Sequence, residues 1–524
     1  MTSGISYEQL PMDWVGDWAG RRRRQTPDRL AVVDATSGQR WTYAELDDRA
    51  NRVANWLTQT LGLQAGDAVC FIARNRIEPV DLYLACGKTG IVLAPLSPRL
   101  ASPELNDLLS RIQPRVLFHE TALEELAASL TLPDSVHEHM TWLEEGEGRY
   151  EREVLGASNT PVNRPLAMNQ PYLYIHTGGT TATPKLCIVP HRQMVWNSVE
   201  LIVSAPEGLA QRVELLFFPL FHIGGWNTLT PILHAGGCII LMRQFDPGEA
   251  LSVIARERVN HFGAVEAMLS FMAEHPDFAS TDLSSLQGIT TAGAPCSEAS
   301  MAPYWDRGIP VVQSYGQTEA GPSNFLNGRL GADPETLRAH HDSVGTSLFH
   351  CDYRIVDAET EEPVATGQAG VLLLRSPHNF DGYLGDPKRT RQTIDEQGWV
   401  WSGDLAYEDE AGYVRIVGRA DNMFVSGGEN ISPEEIEAAL VRHPEVGHAG
   451  VVAIPDARWG QVPAAVLVGT DGSGGPDPEE VKSWLKDQLA GFKIPKRFAV
   501  ADHLPLTGAG KVDRSALRQW FGEA

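Results

Sequence analysis

Residues 177–185 read Thr-Gly-Gly-Thr-Thr-Ala-Thr-Pro-Lys, and this stretch says more about the fold than any other part of the chain. The apolar pair Tyr174-Ile175 precedes it, so a strand is predicted to lead into a loop of glycines and hydroxyls that ends in a lysine. Glycines let backbone N–H groups turn toward an anion, hydroxyls donate further hydrogen bonds, and lysine adds a compact positive charge. The pattern therefore indicates a phosphate-binding loop. For this segment taken alone, a flexible turn remains the alternative.

The loop is not of the Walker type. The spacing GxxxxGK[ST] is absent, and Leu186 follows the lysine where that motif has serine or threonine. Ordinary P-loop kinase chemistry is therefore disfavoured. Motifs elsewhere in the chain are needed to decide what the loop does.

Seven short motifs follow the loop. In chain order they are Pro219-Leu220-Phe221-His222, Ala292-Gly293-Ala294-Pro295, Tyr315-Gly316-Gln317-Thr318-Glu319, Gly398-Trp399 with Ser402-Gly403-Asp404, Gly418-Arg419-Ala420-Asp421, Gly427-Gly428-Glu429-Asn430-Ile431 and Gly510-Lys511. Any one of them could be ordinary turn material, but seven in this order are not a coincidence. Together with the loop, they resemble the adenylate-forming superfamily of acyl-CoA synthetases, luciferases and peptide-synthetase adenylation domains. The resemblance covers residues 41–514.

The length of 524 residues predicts two or more domains, because it exceeds what one hydrophobic core usually supports. Thr42 and Glu45 form a capping box that predicts an amphipathic helix after them. Short apolar runs then alternate with helical segments to about residue 301, which predicts α/β layers with mainly parallel sheets. From about residue 340, apolar runs between turn residues predict a β-rich segment. A new helix is predicted with Ser432 as its N-cap, Pro433 at its first position and Glu435 as its capping glutamate.

The predicted fold class is therefore α/β. The resemblance implies a large N-terminal domain of layered α/β subdomains plus a β-rich subdomain, and a small mobile α+β C-terminal domain. We place the domains at residues 1–419 and 420–524, with Asp421 at the hinge between them.

The overall charge excludes several classes of partner. The chain has 43 Lys plus Arg against 67 Asp plus Glu, a formal net charge of −24, which repels nucleic acid and anionic membranes. A polyanionic ligand therefore needs a local site. The one dense basic run, residues 21–24, is interpreted as a solvated helix face.

The cysteine pattern and the amino terminus bear on the cellular compartment. The six cysteines show no CxxC or Cys/His ligand spacing, so neither a disulfide framework nor a zinc site is indicated. The amino terminus lacks the order of a signal peptide. A reducing, cytoplasmic location is expected.

The stretch from Leu215 to Met242 carries no charged residue apart from histidines and is long enough to span a bilayer. It also contains Pro219, Pro231 and two glycine pairs, which break a helix. Buried strands and a helix within a core are therefore predicted, with no membrane insertion.

The resemblance implies a role for each matching residue. Adenylation requires a carboxylate to attack the α-phosphate of ATP, so cations and N–H groups must converge to stabilise the departing pyrophosphate. The residues implied to bind ATP are Thr177, Gly178, Gly179, Thr180, Thr181, Lys185, Ala294, Pro295, Tyr315, Gly316, Thr318, Asp404, Arg419 and Lys511. Catalytic roles are implied for Lys511, Glu319, Thr318, His222 and Lys185, with Glu319 as the Mg²⁺ ligand.

A second step would transfer the acyl group to coenzyme A. Gly427 and Gly428 would lie along the pantetheine arm, where side chains would obstruct passage. Phe492 and Lys493 are candidates for contact with the CoA nucleotide, and an ordinary packed aromatic and a surface lysine remain the alternative.

The acid would enter a mostly apolar pocket. The residues implied to line it are Phe221, His222, Ile223, Gly225, Trp226, Val265, Met268, Thr291 and Gly316. No acidic residue stands beside the Phe-His pair to hold an α-amine, which disfavours amino acid substrates. Glu266 is unexpected, and it would either pair with a polar substituent of the acid or face solvent.

Two residues depart from the motif of the family. Ala182 and Leu186 stand where glycine is usual, and a non-glycine residue at a position of positive φ costs on the order of 1 kcal/mol. The resemblance therefore still implies the activity of the family, while the effect of these two residues on the turnover rate is left undecided.

The predicted function is ATP-dependent activation of a carboxylic acid to an acyl-adenylate, with Mg²⁺, followed by thioester formation with coenzyme A. Delivery to a carrier protein or another acceptor remains an alternative, as does adenylation of nitrite by a diazotase-like relative; luciferase chemistry is less favoured. The non-enzymatic alternative is a silent nucleotide-binding regulator. Retention of Lys185, Glu319, Asp404, Arg419 and Lys511 argues against the last of these. The oligomeric state, including a homodimer, stays open.

Overall fold

The computed structural model describes residues 16–144, 146–177, 184–205, 208–293, 295–328, 333–420, 422–426, 429–456, 458–470, 476–486, 488–506 and 512–522. The residues singled out in the sequence that lie outside these ranges are Gly178, Gly179, Thr180, Thr181, Ala182, Ala294, Asp421, Gly427, Gly428 and Lys511.

Helices and strands alternate through most of the described chain. The helices are α1 Trp18–Gln25, α2 Tyr43–Asn55, α3 Ile77–Thr89, α4 Ser102–Ile112, α5 Glu124–Ala128, α6 His191–Ser204, α7 Ile223–Ala235, α8 Pro247–Glu257, α9 Glu266–Glu274, α10 Glu298–Trp305, α11 Pro334–Ala339, α12 Pro387–Thr393, α13 Pro433–Leu440, α14 Pro478–Leu485 and α15 Arg514–Gln519. The strands are β1 Leu30–Asp34, β2 Arg40–Thr42, β3 Ala68–Ile72, β4 Val92–Leu96, β5 Val116–Glu120, β6 Glu138–Trp142, β7 Pro171–Thr177, β8 Lys185–Pro190, β9 Val213–Leu216, β10 Cys238–Leu241, β11 His261–Ala264, β12 Gly288–Thr291, β13 Val311–Gln317, β14 Gly321–Leu326, β15 Thr346–Ser347, β16 Asp352–Val356, β17 Gly370–Arg375, β18 Val400–Glu408, β19 Val414–Arg419, β20 Phe424–Ser426, β21 Glu429–Ile431, β22 Val446–Asp456, β23 Gly460–Gly469 and β24 Arg497–Val500.

The chain divides into two compact units. The first comprises residues 1–341, 346–352 and 374–400, and the second comprises residues 342–345, 353–373 and 401–524. The second unit thus groups most of the β-rich segment with the C-terminal residues. The functional boundary predicted at residue 419 stays a prediction.

Two sheets organise the first unit, and the predicted α/β class is confirmed. Nine strands run in the order β15-β14-β13-β12-β11-β9-β10-β1-β2, and six run in the order β6-β5-β3-β4-β7-β8. The largest core cluster joins residues of both sheets, such as Val32 and Phe71, with helix residues such as Leu46 and Trp226. Apolar side chains of helices therefore fill the space between the sheets, which fixes the strand ends that carry the candidate site.

Several local predictions are confirmed. The Thr42–Glu45 capping box is present, and α2 follows it. The uncharged stretch 215–242 forms β9, α7 and β10. No helix in the described part of the chain is long and apolar enough to cross a membrane. All six cysteines are buried and free of disulfides.

The second unit contains most of an antiparallel sheet β16-β17-β18-β19 and a second sheet β21-β20-β23-β22, with β24 beside β23. Helix α13 begins after Ser432 as predicted, but its predicted cap is wrong. The Ser432 hydroxyl donates to the Val417 carbonyl at 3.0 Å and to Glu434 at 2.9 Å, and makes no capping bond to the helix backbone. The serine therefore ties α13 to β19.

The predicted strain at Leu186 is absent. Leu186 lies inside β8 with ordinary extended backbone, because the described non-glycine residues with positive φ are only Gln113, Arg258 and Glu361. Its side chain is fully buried, and its carbonyl accepts from the Leu384 N–H at 2.8 Å. Leucine here is a core residue.

Candidate functional site

The ends of the predicted phosphate loop are fixed by a hairpin. Strands β7 and β8 are antiparallel, and Thr177 pairs directly with Lys185 at their open end. The connection between them is therefore strand to strand, which differs from the strand-to-helix geometry of a Walker loop.

The segment from Asp381 to Leu384 adds to the free edge of β8. The Ile188 N–H donates to the Gly382 carbonyl at 2.9 Å, and the Asp381 N–H donates to the Ile188 carbonyl at 3.0 Å. The backbones of Cys187 and Tyr383 form an antiparallel β-bridge. An edge strand offers unpaired backbone groups, so the pairing is local and directional. It sets the position of Tyr383 relative to the lysine at the start of β8.

Tyr383 joins two of the predicted site residues. Its hydroxyl donates to Glu319 Oε1 at 2.8 Å, and the Lys185 ammonium lies 5.3 Å from its ring centroid. That separation is within the range of a cation–π contact. Burial, and then the neighbouring Glu319 carboxylate, raise the pKa of Tyr383 well above its usual value. The tyrosine is therefore a neutral hydrogen-bond donor at neutral pH.

Backbone contacts hold Thr318 and Glu319, which follow β13. The Thr318 carbonyl accepts from Gln193 Nε2 at 2.7 Å, and the Glu319 carbonyl accepts from the Phe380 N–H at 3.0 Å. Thr318 and Gln193 are both buried. The Glu319 side chain is thus presented from a loop whose backbone is fixed on both sides.

Several of the predicted acyl-pocket residues stand at or just before the start of α7. His222 caps α7, since its Nδ1 accepts from the Gly224 N–H at 3.1 Å. The Phe221 ring stacks on His176 at 6.3 Å, and the Arg99 guanidinium lies 5.9 Å from the Phe221 centroid. Burial, with a smaller effect of His222, lowers the pKa of His176 to about 4. His176 is therefore neutral at pH 7.

Three further pocket residues have clear packing roles. Trp226 is fully buried and stacks on Tyr83 at 4.5 Å. A Cβ on Gly225 would lie 2.6 Å from the Pro219 carbonyl oxygen, and one on Gly316 would collide with the Pro322 carbonyl. Close backbone packing therefore requires glycine at both positions.

Glu266 has hydrogen-bond partners within the fold that were not expected. Its Oε1 accepts from the Ser297 N–H at 2.9 Å and from the Ser300 hydroxyl at 3.1 Å. Ser297 is the N-cap of α10, so Glu266 ties the start of α9 to the start of α10. The carboxylate thus has a structural role, which the sequence did not signal.

In the second unit, Asp404 and Arg419 are cross-strand partners. They pair in register between β18 and β19, and Arg419 Nη1 lies 3.1 Å from Asp404 Oδ1. Asp404 is buried, with 6% of its surface exposed, whereas 43% of the Arg419 side chain is exposed. Burial beside an arginine keeps the carboxylate in one orientation, as an acceptor of two hydroxyls requires.

The two candidates for the CoA nucleotide are also in the second unit. Lys493 Nζ lies 2.5 Å from Glu435 Oε1 and 5.7 Å from the Phe492 ring centroid. The Phe492 side chain is exposed. The ion pair partly neutralises Lys493, and the exposed ring leaves a flat apolar surface beside it.

Sequence reasoning missed Tyr383 and Gln193. Tyr383 stands in Gly382-Tyr383-Leu384, and no spacing or composition in that stretch marks a site residue. Gln193 follows the loop by one strand, and glutamine in a helix is common. Only the pairing of distant segments brings them to Lys185, Thr318 and Glu319.

Comparisons with known proteins bear on this arrangement. The profile of the AMP-binding enzyme family matches residues 20–384, and that of the AMP-binding enzyme C-terminal domain matches residues 435–511. A feruloyl-CoA synthase of an Amycolatopsis species is 36% identical over 513 residues, covering 97% of this chain and 99% of that protein. An indoleacetate–CoA ligase of Aromatoleum aromaticum is 32% identical over 517 residues, covering 97% of each. The crystal structure of ATP-bound MatB from Rhodopseudomonas palustris superposes with a TM-score of 0.87 at 27% identity, covering 97% of this chain and 99% of that one.

Proposed function

The chain belongs to the AMP-binding enzyme family, and on that premise we propose that it uses ATP to activate a carboxylic acid and passes the acyl group to coenzyme A. The first step is attack of the acid carboxylate on the α-phosphate, which forms an acyl-adenylate and releases pyrophosphate. The second is attack of the CoA thiol on that adenylate, which forms a thioester and releases AMP.

One observation carries this proposal within the structure. The buried side chain of Tyr383 contacts two of the motif residues. Its ring faces Lys185, which ends the signature loop, and its hydroxyl donates to Glu319, which follows Thr318. A fixed cation and a fixed carboxylate beside a phosphate loop are what transfer of a nucleotidyl group requires. A silent nucleotide-binding protein would have no need to hold both so closely.

The chemistry of Glu319 fits a magnesium ion. A carboxylate oxygen is the ligand that Mg²⁺ prefers, and this ion is usually held by one or two carboxylates together with substrate phosphates and water. The Glu319 carboxylate would supply an oxygen to such an ion, and its Oε1 also accepts from the Tyr383 hydroxyl. When bound, the ion would neutralise phosphate charge.

The remaining site roles belong to the same proposal. Thr177 and Lys185 hold the β- and γ-phosphates together with loop residues 178–181, and Thr318 lies at the α-phosphate. Asp404 accepts hydrogen bonds from both ribose hydroxyls, with Arg419 beside it. Asp421 is the hinge that lets residues 420–524 rotate, and Lys511 neutralises charge between carboxylate and α-phosphate in one orientation.

We further propose that the acid is aromatic. The feruloyl-CoA synthase and the indoleacetate–CoA ligase are named for aromatic acids. The residues proposed to line the pocket are mostly apolar, and they include the aromatic ring of Phe221, which lies parallel to His176. His222, which caps α7, supplies a polar edge next to Phe221 in the sequence.

Coenzyme A is favoured over other acceptors. Gly427-Gly428 offers room for a narrow pantetheine arm, and Phe492 with Lys493 offers a stacking surface and a cation for the nucleotide. A carrier protein as acceptor, a cytoplasmic location and a homodimer stay predictions.

A pyrophosphate-release assay tests the proposal. The enzyme is supplied with ATP, Mg²⁺ and a panel of aromatic, aliphatic and amino acids, with and without coenzyme A. Release that depends on an aromatic acid, together with thioester formed only when CoA is present, is the expected result. Pyrophosphate release without thioester formation would mean that the acyl acceptor is a nucleophile other than coenzyme A. The absence of pyrophosphate release with every acid would refute the proposal that the protein is an enzyme of this type.

A Lys511→Ala variant adds a residue-level check. It should suppress acyl-adenylate formation yet leave conversion of supplied acyl-AMP to thioester nearly intact, because the charge acts only at the first step. Equal losses in both half-reactions would contradict the assignment of Lys511.

A further inference from the structure

A basic cavity lies beside the proposed phosphate site. It has a volume of about 410 Å³ and is lined by the start of β8, the segment after Tyr383 and helix α12. Its charged lining residues are Arg111, Lys185, Lys388, Arg389 and Asp386. Four cations and one carboxylate therefore face a single space, in a chain whose net charge is −24.

Much of this positive charge is uncompensated. Arg111 pairs with Asp107 at 2.7 Å, and Asp386 is occupied in capping α12, where its Oδ1 accepts from the Arg389 N–H at 2.9 Å. Within the described ranges, neither Lys388 nor the Arg389 guanidinium pairs with a carboxylate. A cavity of ligand size whose lining holds two cations without a carboxylate partner has the charge and shape of an anion site.

The cavity shares a wall with the proposed reaction centre. Tyr383 lines the cavity and also donates to Glu319, while Lys185 lines the cavity and stands at the end of the phosphate loop. Lys388 and Arg389 therefore line the same cavity as Lys185.

We propose that this cavity binds inorganic pyrophosphate, the product of the proposed adenylation step. The inference rests on the proposed function for the source of the anion, but the binding itself requires no turnover. Pyrophosphate is small and carries several negative charges, so it can contact several of these cations at once. Holding the product away from the adenylate would oppose the reverse reaction.

Titration calorimetry with inorganic pyrophosphate tests the proposal on the full-length protein, without ATP or acid. The test variant is Lys388→Glu/Arg389→Glu, which reverses two lining charges. The control is Arg391→Glu, which reverses one charge at an exposed position of α12 outside the cavity lining. Coenzyme A is titrated in parallel, because its diphosphate is the other source of the same chemistry.

The double variant is expected to weaken pyrophosphate binding about tenfold or more, because like charges now face the anion. Arg391→Glu should leave the affinity unchanged, and the affinity for coenzyme A should change less than that for pyrophosphate. Unchanged pyrophosphate affinity in the double variant would overturn the proposal. So would an equal loss in the control, or a loss confined to coenzyme A.

Failure of this inference can be distinguished from failure of the proposed function. An enzyme that releases pyrophosphate with an acid, yet binds added pyrophosphate independently of Lys388 and Arg389, keeps its function and refutes the cavity. If the protein binds pyrophosphate through these residues but activates no acid, the proposed binding site is supported and the proposed enzymatic function is refuted. Thermal unfolding of the double variant checks that the fold tolerates the changes at exposed Lys388 and half-buried Arg389.

Discussion

The Tyr383 hydroxyl provides the sharpest test of the reaction centre, because one atom can be removed without disturbing the ring. Tyr383→Phe deletes the 2.8 Å hydrogen bond to Glu319 Oε1 and leaves the aromatic face beside Lys185. A hydrogen bond to a charged group contributes about 1.5–3 kcal/mol. If Glu319 holds Mg²⁺ in the reaction, that loss corresponds to a decrease of about 10- to 150-fold in kcat/KM for ATP.

Steady-state pyrophosphate release, measured while Mg²⁺ and ATP are varied separately, separates a positioning role from a structural one. A displaced Glu319 carboxylate should raise the Mg²⁺ concentration needed for half-maximal rate. A purely structural role would lower the fraction of folded enzyme and leave that concentration unchanged.

Tyr353→Phe is the matched control. The Tyr353 hydroxyl donates to Glu408 Oε2 at 2.9 Å, so the variant removes the same atom from a similar bond that no proposed step uses. The control should keep the parent Mg²⁺ dependence. If Tyr383→Phe also retains the parent rate and Mg²⁺ dependence, the reasoning that links Tyr383 to catalysis through Glu319 is refuted.

The sequence predicts the fold well where local patterns agree with tertiary packing. The Thr42–Glu45 capping box is sufficient to predict α2, because a helix cap is a local feature. Ser432 shows the opposite case. Its side chain has the right chemistry for a cap, but a carbonyl of β19 competes for the hydroxyl, and only the packed structure decides between them.

The candidate site was predictable in its motifs and unpredictable in its connections. Lys185 and Glu319 could be named because both stand in motifs with a recognisable order. Tyr383, which links them, depends on an edge pairing between segments nearly two hundred residues apart. The hydrogen-bond partners of Glu266 at the start of α10 could not be predicted either, because they are set by helix packing that no local pattern encodes.

Three further changes test other parts of the molecule. Asp404→Ala removes the buried carboxylate beside Arg419 and should weaken ATP binding by about 1.5–3 kcal/mol, with loss of preference over deoxyribose analogues; unchanged affinity and sugar discrimination in a binding titration would exclude the ribose role. Gly428→Leu should obstruct the pantetheine path, so acyl-AMP accumulates while thioester yield falls; thioester formed from supplied acyl-AMP at the parent rate would contradict this. The last change concerns stability, because His191 is buried against Tyr172 and burial lowers its pKa to about 3. In the unfolded chain the pKa of His191 is about 6.5, so below that pH the unfolded chain binds a proton that the folded state does not bind. The contribution of His191 to the free energy of unfolding is therefore complete above about pH 6.5. It falls by about 1.4 kcal/mol for each pH unit as the pH decreases toward 3. His191→Phe keeps a stacked ring without a titrating group, so chemical denaturation at about pH 6 and pH 5 should show a shallower fall in the free energy of unfolding than the parent, by about 1 kcal/mol. Equal slopes in the two proteins would mean that His191 takes up its proton in the folded state.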